Sequence, residues 1–276
     1  MAFISLVMAI QVHGHRGARA VLPENTLPAF EYAIQAGAGA IELDLAVTRD
    51  DVLVASHDPV LPRWICSGGA GTRVIRQMTL AELKRWDCGA RANPRFPRQK
   101  ALPGATVPSI DEVFALAPRG KFLFNLETKI FADRPQYTPS PERFAALLVE
   151  AVRRHRLESR VIVQSFDFRT LKAMKTLAPE IRLAALDEAG AQDFVATARL
   201  AGAGIISPHL KLVSREKVEA AHAAGLQVVP WTANTPRAWR LLIEAGVDGI
   251  ITDDPAALIE YLKRFQARLP LQPVPE

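Results

Sequence analysis

Short apolar runs alternate along the chain with longer stretches that repeat their apolar positions at helical spacing. The runs are LVMAIQV, AIELDLAV, KFLFNLE, VIVQSF, RLAAL, GIISP, LQVVPWT and GIITDD. A helix-like stretch follows each run, so the strands enter the fold in the same direction. Eight such strands alternating with helices predict an α/β chain that folds as a (β/α)8 TIM barrel.

The junctions from helix to strand repeat small residues, in EYAIQAGAGAIELD, ATARLAGAGIISP, AHAAGLQVVPWT and LIEAGVDGIITDD. Glycine at such a junction supplies a left-handed helix C-cap. Two segments interrupt the alternation, one at about 59–118 and one at 130–141. We therefore expect a single barrel domain over residues 1–276, with a small insertion at about 59–118 in the region of the second and third strands. Loops that follow strands lie on the catalytic face of such barrels.

Composition narrows the possible functions. The chain has 276 residues, of which 49% are hydrophobic and 23% charged, which excludes disordered and collagen-like classes. A net charge of +5 is compatible with a phosphorylated ligand. The densest basic stretches, 153–156 and 91–100, lack the interleaved aromatic residues of a stacking surface, so we expect no nucleic-acid partner.

The cysteines and the amino-terminal segment bear on the compartment. Cys66 and Cys88 lack CxxC spacing and histidine neighbours, and we expect two unpaired thiols rather than a disulfide or a metal site. The segment MAFISLVMAI precedes the first basic residue, Arg16, and is predicted to be a buried strand rather than a signal peptide. No window reaches the roughly 18 apolar residues that span a bilayer, so we expect a cytoplasmic protein without stable membrane insertion.

Polar residues two positions apart mark the ends of three predicted strands. The pairs are His13 with His15, Glu42 with Asp44, and Glu127 with Lys129. This spacing places both members of a pair on one face of the strand. Inward-facing charges are costly unless they bind something, and barrel enzymes carry their sites at the carboxyl ends of the strands.

The segment IELDLAVTRDDVLVASHDP predicts a hairpin that adds a second histidine to this rim. If Asp50 and Asp51 form a two-residue turn, opposed positions sum to 101, and Asp44 faces His57 directly. The returning strand would then bring His57 to the level of the carboxylates.

The resulting cluster has three carboxylates and no thiolate: Glu42, Asp44 and Glu127. Such hard oxygen ligands predict one divalent cation, Mg²⁺ or Ca²⁺, rather than zinc or copper. His15 and His57 flank the carboxylates, together with Arg16 and Lys129. This set fits phosphoryl chemistry, in which cations neutralise phosphate oxygens while one imidazole accepts a proton and the other donates one.

The residues of this rim belong to motifs that extend along nearly the whole chain. They are HRG at 15–17, PENT at 23–26, ELD at 42–44, SHDP at 56–59, LETK at 126–129, QSFD at 164–167, WTANT at 231–235 and DGIITDDP at 248–255. In sequence and order these motifs resemble the glycerophosphodiester phosphodiesterases. The resemblance implies a barrel with a small insertion after the His57 motif, which hydrolyses glycerophosphodiesters to glycerol 3-phosphate and an alcohol.

By the same resemblance, the three carboxylates hold the metal, His15 and His57 are the acid and base, and Arg16 and Lys129 contact the phosphate. A cyclic phosphate intermediate and tolerance toward the leaving alcohol are expected. A phospholipase C- or D-like barrel acting on lysophospholipids or phosphoinositides is the alternative enzyme, and a catalytically silent barrel that binds phosphorylated ligands is the alternative from another class. If the chain is a glycerophosphodiester phosphodiesterase, its expected partner is a small phosphodiester. The sequence leaves the oligomeric state open.

Other polar and aromatic residues near these motifs are open to more than one role. Trp231 ends a predicted strand and can pack against the glycerol or the leaving group, or simply belong to the core. Glu24 and Asn25 are expected to cap the first helix, with a hold on Arg16 as the alternative. Asp253 is expected to support the site rather than to bind the metal, and His13 either supports it or contacts the ligand.

Overall fold

Parallel strands form a closed barrel in the computed structural model, which describes residues 10–189 and 193–267. In chain order the strands are β1 (Gln11–Gly14), β2 (Ala40–Val47), β3 (Leu53–Ala55), β4 (Ser67–Gly68), β5 (Trp86–Asp87), β6 (Leu123–Thr128), β7 (Val161–Ser165), β8 (Arg182–Asp187), β9 (Ile205–Pro208), β10 (Gln227–Val228) and β11 (Gly249–Thr252). Around the barrel the order is β1, β2, β6, β7, β8, β9, β10, β11, and β11 pairs with β1. The Ile251 amide donates to the Pro230 carbonyl at 3.0 Å, which joins the last two strands and closes the wall.

Helices follow the barrel strands and cover their outer face, except for one four-residue helix that lies in the segment after β3. They are α1 (Leu27–Ala36), α2 (Leu80–Leu83), α3 (Ile110–Phe114), α4 (Pro141–His155), α5 (Phe168–Leu177), α6 (Phe194–Ala201), α7 (Arg215–Ala223), α8 (Pro236–Ala245) and α9 (Pro255–Ala267). The glycines expected after four of them all have positive φ: Gly37, Gly202, Gly225 and Gly246. The predicted TIM barrel is thus confirmed. The predicted left-handed glycines at the ends of its helices are confirmed as well.

Three apolar clusters stabilise this arrangement. The largest lies between the strands and the helices and includes Phe30, Phe124 and Phe144, all fully buried. A small cluster fills the inside of the barrel with residues from alternate strand positions, among them Ile162 and Ile251. The third packs the segment after β3 against β2 and β3. This segment therefore has a small core of its own beside the barrel.

The two cysteines lie in the third cluster and form a disulfide, with an S–S distance of 2.07 Å. The expectation of two unpaired thiols is therefore wrong. β4 and β5 pair antiparallel with Ser67 opposite Asp87, and the same register brings Cys66 opposite Cys88. Because 22 positions separate the cysteines in sequence, no local spacing reveals this pairing.

The hairpin that carries His57 differs by one residue from the predicted one. β2 and β3 pair with Leu45 opposite Ala55, so opposed positions sum to 100 rather than 101. The turn has one more residue than predicted, because Asp51 adopts a left-handed conformation with φ 60°. The Ser56 amide accordingly donates to the Asp44 carbonyl at 3.0 Å, and the predicted direct opposition of Asp44 and His57 is wrong.

β1 begins at Gln11, later than predicted, and Ile10 is buried before it. The rest of the apolar amino-terminal segment, residues 1–9, lies outside the described residues. Among the helices of the described part of the chain, none has the length and apolar character to cross a membrane.

Candidate active site

The turn after β1 brings the backbone of Arg16 to the carboxylates of β2. Gly17 has a φ of 83°, and a Cβ there would lie 2.6 Å from the backbone carbon of Ala29, so only glycine fits this turn. The Gly17 amide donates to the Glu42 carbonyl at 3.1 Å. The Arg16 amide donates to Glu42 Oε2 at 2.8 Å. The HRG motif is therefore a backbone turn fitted onto one acidic side chain.

The three predicted carboxylates form a buried group at the carboxyl-terminal end of the barrel. Glu42 and Asp44 share a face of β2, and the parallel register with β6 sets Asp44 beside Glu127. One oxygen from each of the three lies within 4.8 Å of the others. Their exposed fractions are 1%, 0% and 7%, so water screens their repulsion poorly.

Two cations lie among these carboxylates. Lys129 Nζ lies 3.1 Å from Asp44 Oδ1 and 2.5 Å from Glu127 Oε1. Arg16 Nε lies 3.1 Å from Asp44 Oδ2, and its Nη1 donates to Glu24 at 2.7 Å. Both cations were expected to contact phosphate, and in this structure they pair with acids.

The charge imbalance shifts the acids in opposite directions. Burial, followed by repulsion from Asp44 and Glu127, raises the pKa of Glu42 well above its usual range. Burial also raises the pKa of Glu127. Burial alone would raise the pKa of Asp44 too, but Lys129 and Arg16 hold it well below the usual range. The crowding of negative charge therefore favours a proton or a bound cation at Glu42.

The side chains present fit a divalent cation. All ligand atoms available in the group are carboxylate oxygens, which Mg²⁺ and Ca²⁺ prefer. Asp44 Oδ1 is buried and accepts no hydrogen bond, although the Lys129 ammonium lies near it. Glu42, Asp44 and Glu127 thus form a group that can hold one divalent ion.

His15 is oriented by an acid from the other end of the chain. Its Nδ1 contacts Asp253 Oδ1 at 2.6 Å, and its Nε2 lies 4.0 Å from Glu42 Oε2. Asp253 also accepts from Arg19 Nε at 2.6 Å and from Asn234 Nδ2 at 2.7 Å. Since an ionised carboxylate only accepts hydrogen bonds, Asp253 selects the imidazole form that carries its proton on Nδ1. Burial and then Arg19 lower the pKa of His15 to about 3.

His57 follows β3 and is more exposed than His15. Its Nδ1 contacts Asp58 Oδ1 at 2.8 Å, and 37% of its side chain is exposed. The hydrogen bond from His57 lowers the pKa of Asp58, and it outweighs burial, which acts in the opposite direction. Each histidine therefore has one nitrogen held by an aspartate and the other available.

One cavity of about 240 Å³ is lined by all the predicted site residues except Asp44, which is fully buried beside it. Its lining includes His15, Arg16, Glu42, His57, Glu127, Lys129 and Trp231. Trp231 donates through Nε1 to the Ser207 carbonyl at 2.9 Å and packs edge-on against Phe166 at 5.6 Å. His57 lines this cavity although the register of its hairpin differs by one residue from the predicted one.

Known proteins are similar to this chain in sequence and fold. The model of the glycerophosphoryl diester phosphodiesterase family matches residues 15–257. The chain belongs to this family. A glycerophosphodiester phosphodiesterase from Caldanaerobacter subterraneus subsp. tengcongensis is 33% identical over 257 residues, which cover 93% of this chain and 99% of the relative. The chain is accordingly a phosphodiester hydrolase, as the motifs indicate.

Solved structures agree with this assignment. A Silicibacter pomeroyi structure attributed to the same activity has a TM-score of 0.87 and 31% identity, and the match covers 94% of each chain. An Oleispira antarctica phosphodiesterase, solved in complex with the product sn-glycerol-3-phosphate, has a TM-score of 0.79 and 25% identity. That match covers 93% of this chain and 98% of the other.

Beneath the cavity, polar side chains of this phosphodiesterase form a chain of hydrogen bonds that ends on Glu42. His13 contacts Gln11 at 2.9 Å and Asn125 at 3.3 Å. Asn125 donates to Gln164 at 3.1 Å, and Gln164 donates to Glu42 Oε1 at 3.0 Å. Burial and then Arg182 lower the pKa of His13 to about 3. His13 thus supports the site from below and does not line the cavity.

Glu24 and Asn25 of the PENT motif orient the site rather than capping α1. Thr26 occupies the N-cap position of that helix, so the capping role expected for Glu24 and Asn25 is wrong. Glu24 pairs with Arg16, as the alternative expected, and Asn25 Nδ2 donates to Asp44 at 2.9 Å. The sequence did not predict three hydrogen bonds of the site: Asn25 to Asp44, Gln164 to Glu42 and Arg19 to Asp253. The motif match around Asn25 and Gln164 was a usable signal, whereas nothing in the sequence marked Arg19.

Proposed function

We propose that the enzyme hydrolyses glycerophosphodiesters to sn-glycerol 3-phosphate and an alcohol, with a divalent cation and the His15 and His57 pair. The observation that carries this proposal is one cavity lined by both imidazoles and by carboxylates of the buried acidic group. The glycerol 3-phosphate bound to the Oleispira antarctica relative supports the choice of product. The expected partner is a small phosphodiester.

Glu42, Asp44 and Glu127 would hold one Mg²⁺ or Ca²⁺. When bound, such an ion neutralises negative charge on phosphoryl oxygens. Arg16 and Lys129 would contribute fixed positive charge beside the phosphate, since both line the cavity. Trp231 would pack against the apolar edge of the substrate.

His15 is suited to the role of base by the direction of its hydrogen bonds. Asp253 occupies Nδ1, which leaves the lone pair on Nε2, toward the cavity side where Glu42 lies. In the proposed first step, Nε2 takes the proton of the glycerol hydroxyl next to the phosphoester. The oxygen so freed bonds to phosphorus, and the bond from phosphorus to the leaving alcohol oxygen breaks. This internal attack has a proximity advantage on the order of 7 kcal/mol in well-oriented cases.

His57 completes the step by giving a proton to the departing alcohol oxygen, with Asp58 holding its Nδ1. The product of the step is a cyclic glycerophosphate. In the second step His57 takes a proton from water, whose oxygen bonds to phosphorus and opens the ring. His15 then returns its proton to the glycerol oxygen, so that both histidines end as they began.

Choline release from glycerophosphocholine, measured with and without EDTA, tests the activity and its dependence on metal. Glu127→Gln should lose metal affinity in calorimetry and lose turnover, while the fold remains intact. Glu188→Gln is a matched control, because Glu188 lines the same cavity outside the acidic group. Turnover that resists EDTA, or equal effects of both substitutions, would contradict metal dependence.

A substrate analogue separates internal attack from direct attack by water. A diester that lacks the hydroxyl next to the phosphoester should react far more slowly, because no internal nucleophile remains. Equal rates for the two diesters would eliminate the cyclic intermediate and leave the hydrolytic activity itself untouched.

A further inference from the structure

A second open space is lined by Asp58, the aspartate that holds the cavity residue His57. It is a groove of about 820 Å³ that begins at Asp58 and extends to Trp64. Trp86 of the insertion lines it, as do Arg134 and Tyr137, which belong to the loop after β6. The groove thus lies between two loops that leave the strands carrying His57 and Glu127.

The charged side chains of the groove are unbalanced. Arg63, Arg73 and Arg134 line it, and its one lining carboxylate, Asp58, is hydrogen-bonded to His57. Arg73 donates to the carbonyls of residues 61, 62 and 66 and contacts no carboxylate among the residues that the structure describes. Burial, followed by repulsion from Arg63 and Arg91, lowers the pKa of Arg73. Arg134 Nε lies 3.3 Å from Asp133 Oδ2, an exposed carboxylate that does not line the groove. Guanidinium groups that line a groove with so little acidic charge are suited to bind phosphate.

Aromatic rings complete the walls. The Arg73 guanidinium lies 4.4 Å from the centre of the Trp86 ring, and the buried Trp86 Nε1 donor has no hydrogen-bond partner in the described part of the chain. Trp64 is 53% exposed, although large apolar side chains are usually covered. Arg134 lies over the rings of Phe131 and Tyr137. A flat polyol that carries an anionic group matches these surfaces.

The proposed chemistry decides which part of a substrate reaches this groove. If His57 protonates the departing oxygen, the leaving alcohol lies beside His57, and the groove begins at the next residue. We propose that the groove is the leaving-group subsite and that it favours alcohols that carry a second phosphate group. This inference rests on the proposed function. It replaces the tolerance toward the leaving alcohol, which the sequence predicts, by a graded preference among alcohols.

Two soluble substrates that differ by one phosphate test the inference: glycerophosphoinositol and glycerophosphoinositol 4-phosphate. The wild-type enzyme should turn over the phosphorylated diester with the higher kcat/KM. Combined Arg63→Ala and Arg134→Ala substitutions should raise KM for that diester about tenfold and change KM for the other by less than about twofold, because only one has a second phosphate to contact. High salt should reduce the preference of the wild type.

Arg95→Ala is the matched control, because Arg95 is an exposed arginine of the same insertion that does not line the groove. Equal KM changes for both diesters, or no wild-type preference, would refute the subsite while the phosphodiesterase activity stands. Absence of turnover with both inositol diesters would refute this inference, and the proposed function fails with it only if glycerophosphocholine is not hydrolysed either. Faster turnover of phosphatidylinositol 4-phosphate in vesicles than of the soluble diester would also overturn it, in favour of a lipid surface.

Discussion

Replacement of Asp253 by Asn tests how the enzyme prepares its base. Asp253 Oδ1 accepts from His15 Nδ1 and Arg19 Nε, both at 2.6 Å, and Oδ2 accepts from Asn234 at 2.7 Å. Asparagine has the same size but one oxygen and one NH₂ group. If its oxygen faces His15, the NH₂ group meets the NH₂ group of Asn234. If its NH₂ group faces His15, the imidazole must carry its proton on Nε2 and loses the lone pair that accepts the substrate proton.

The expected loss follows from these contacts. General base catalysis contributes roughly 10²- to 10⁴-fold, so kcat should fall by about that factor. KM should change little, because Asp253 does not line the cavity. The free energy of unfolding should fall by about 1 to 3 kcal/mol, since hydrogen bonds to one charged acceptor are lost. The fall in kcat should therefore exceed anything that partial unfolding explains.

Steady-state turnover of glycerophosphocholine gives kcat and KM, and ¹⁵N chemical shifts of the imidazoles show which nitrogen of His15 carries the proton. Asp254→Asn is the control, because Asp254 bonds Arg98 and the Ala257 amide instead of His15. If Asp253→Asn retains kcat within about twofold, the positioning role is refuted. The same conclusion follows if the control loses as much.

Two further predictions concern stability. His13 has a pKa of about 3 in the fold against 6.5 ordinarily, so its contribution is complete above about pH 6.5 and is lost as pH falls. At pH 5 the free energy of unfolding of the metal-free wild type should be about 2 kcal/mol lower than at pH 7.5 because of this group. In urea denaturation, His13→Gln should lack that part of the pH dependence, and parallel pH profiles of the two proteins would contradict the prediction. Replacing Cys66 and Cys88 by Ser should lower the free energy of unfolding by about 3 kcal/mol, because the 22-residue loop is no longer closed, and an unchanged denaturation midpoint would refute this.

The barrel was predictable because its signals are local. Each apolar run is short and complete in itself, and each glycine after a helix acts on its own turn. The pairing of the rim residues also follows locally, since a spacing of two fixes the strand face and parallel strands end at one edge. Glu42, Asp44 and Glu127 therefore meet as expected. The start of β1 was less predictable, because an apolar run alone does not show where pairing begins.

Local sequence signals do not reveal strand registers or contacts between residues that are distant in the chain. One residue added to the turn at Asp51 shifts the partner of Asp44 from His57 to Ser56. The contact of His15 with Asp253 joins residues 238 positions apart, so only the closure of the barrel creates it. The motif around Asp253 indicated a supporting role without revealing its partner.

The disulfide and the cytoplasmic prediction point in opposite directions. Structural disulfides persist mainly in oxidising compartments, whereas the cytosol keeps thiols reduced. The compartment therefore stays a prediction. Counting free thiols in protein alkylated at the moment of cell lysis would test it, since a reduced Cys66 and Cys88 pair favours the cytosol.

The insertion that contains this disulfide is separable from the catalytic chemistry in physical terms. Its apolar residues pack in a cluster of their own against β2 and β3, and the disulfide joins its two short strands. The carboxylates, by contrast, lie on barrel strands whose pairing fixes their positions. Substitutions at Arg63 can therefore alter the groove without moving Glu42 or Glu127. If the groove selects the leaving alcohol, the part of its lining that belongs to the insertion has a different core from the carboxylates, while Arg134 and Tyr137 follow the strand of Glu127. The insertion part of the groove can therefore change while the carboxylates are retained.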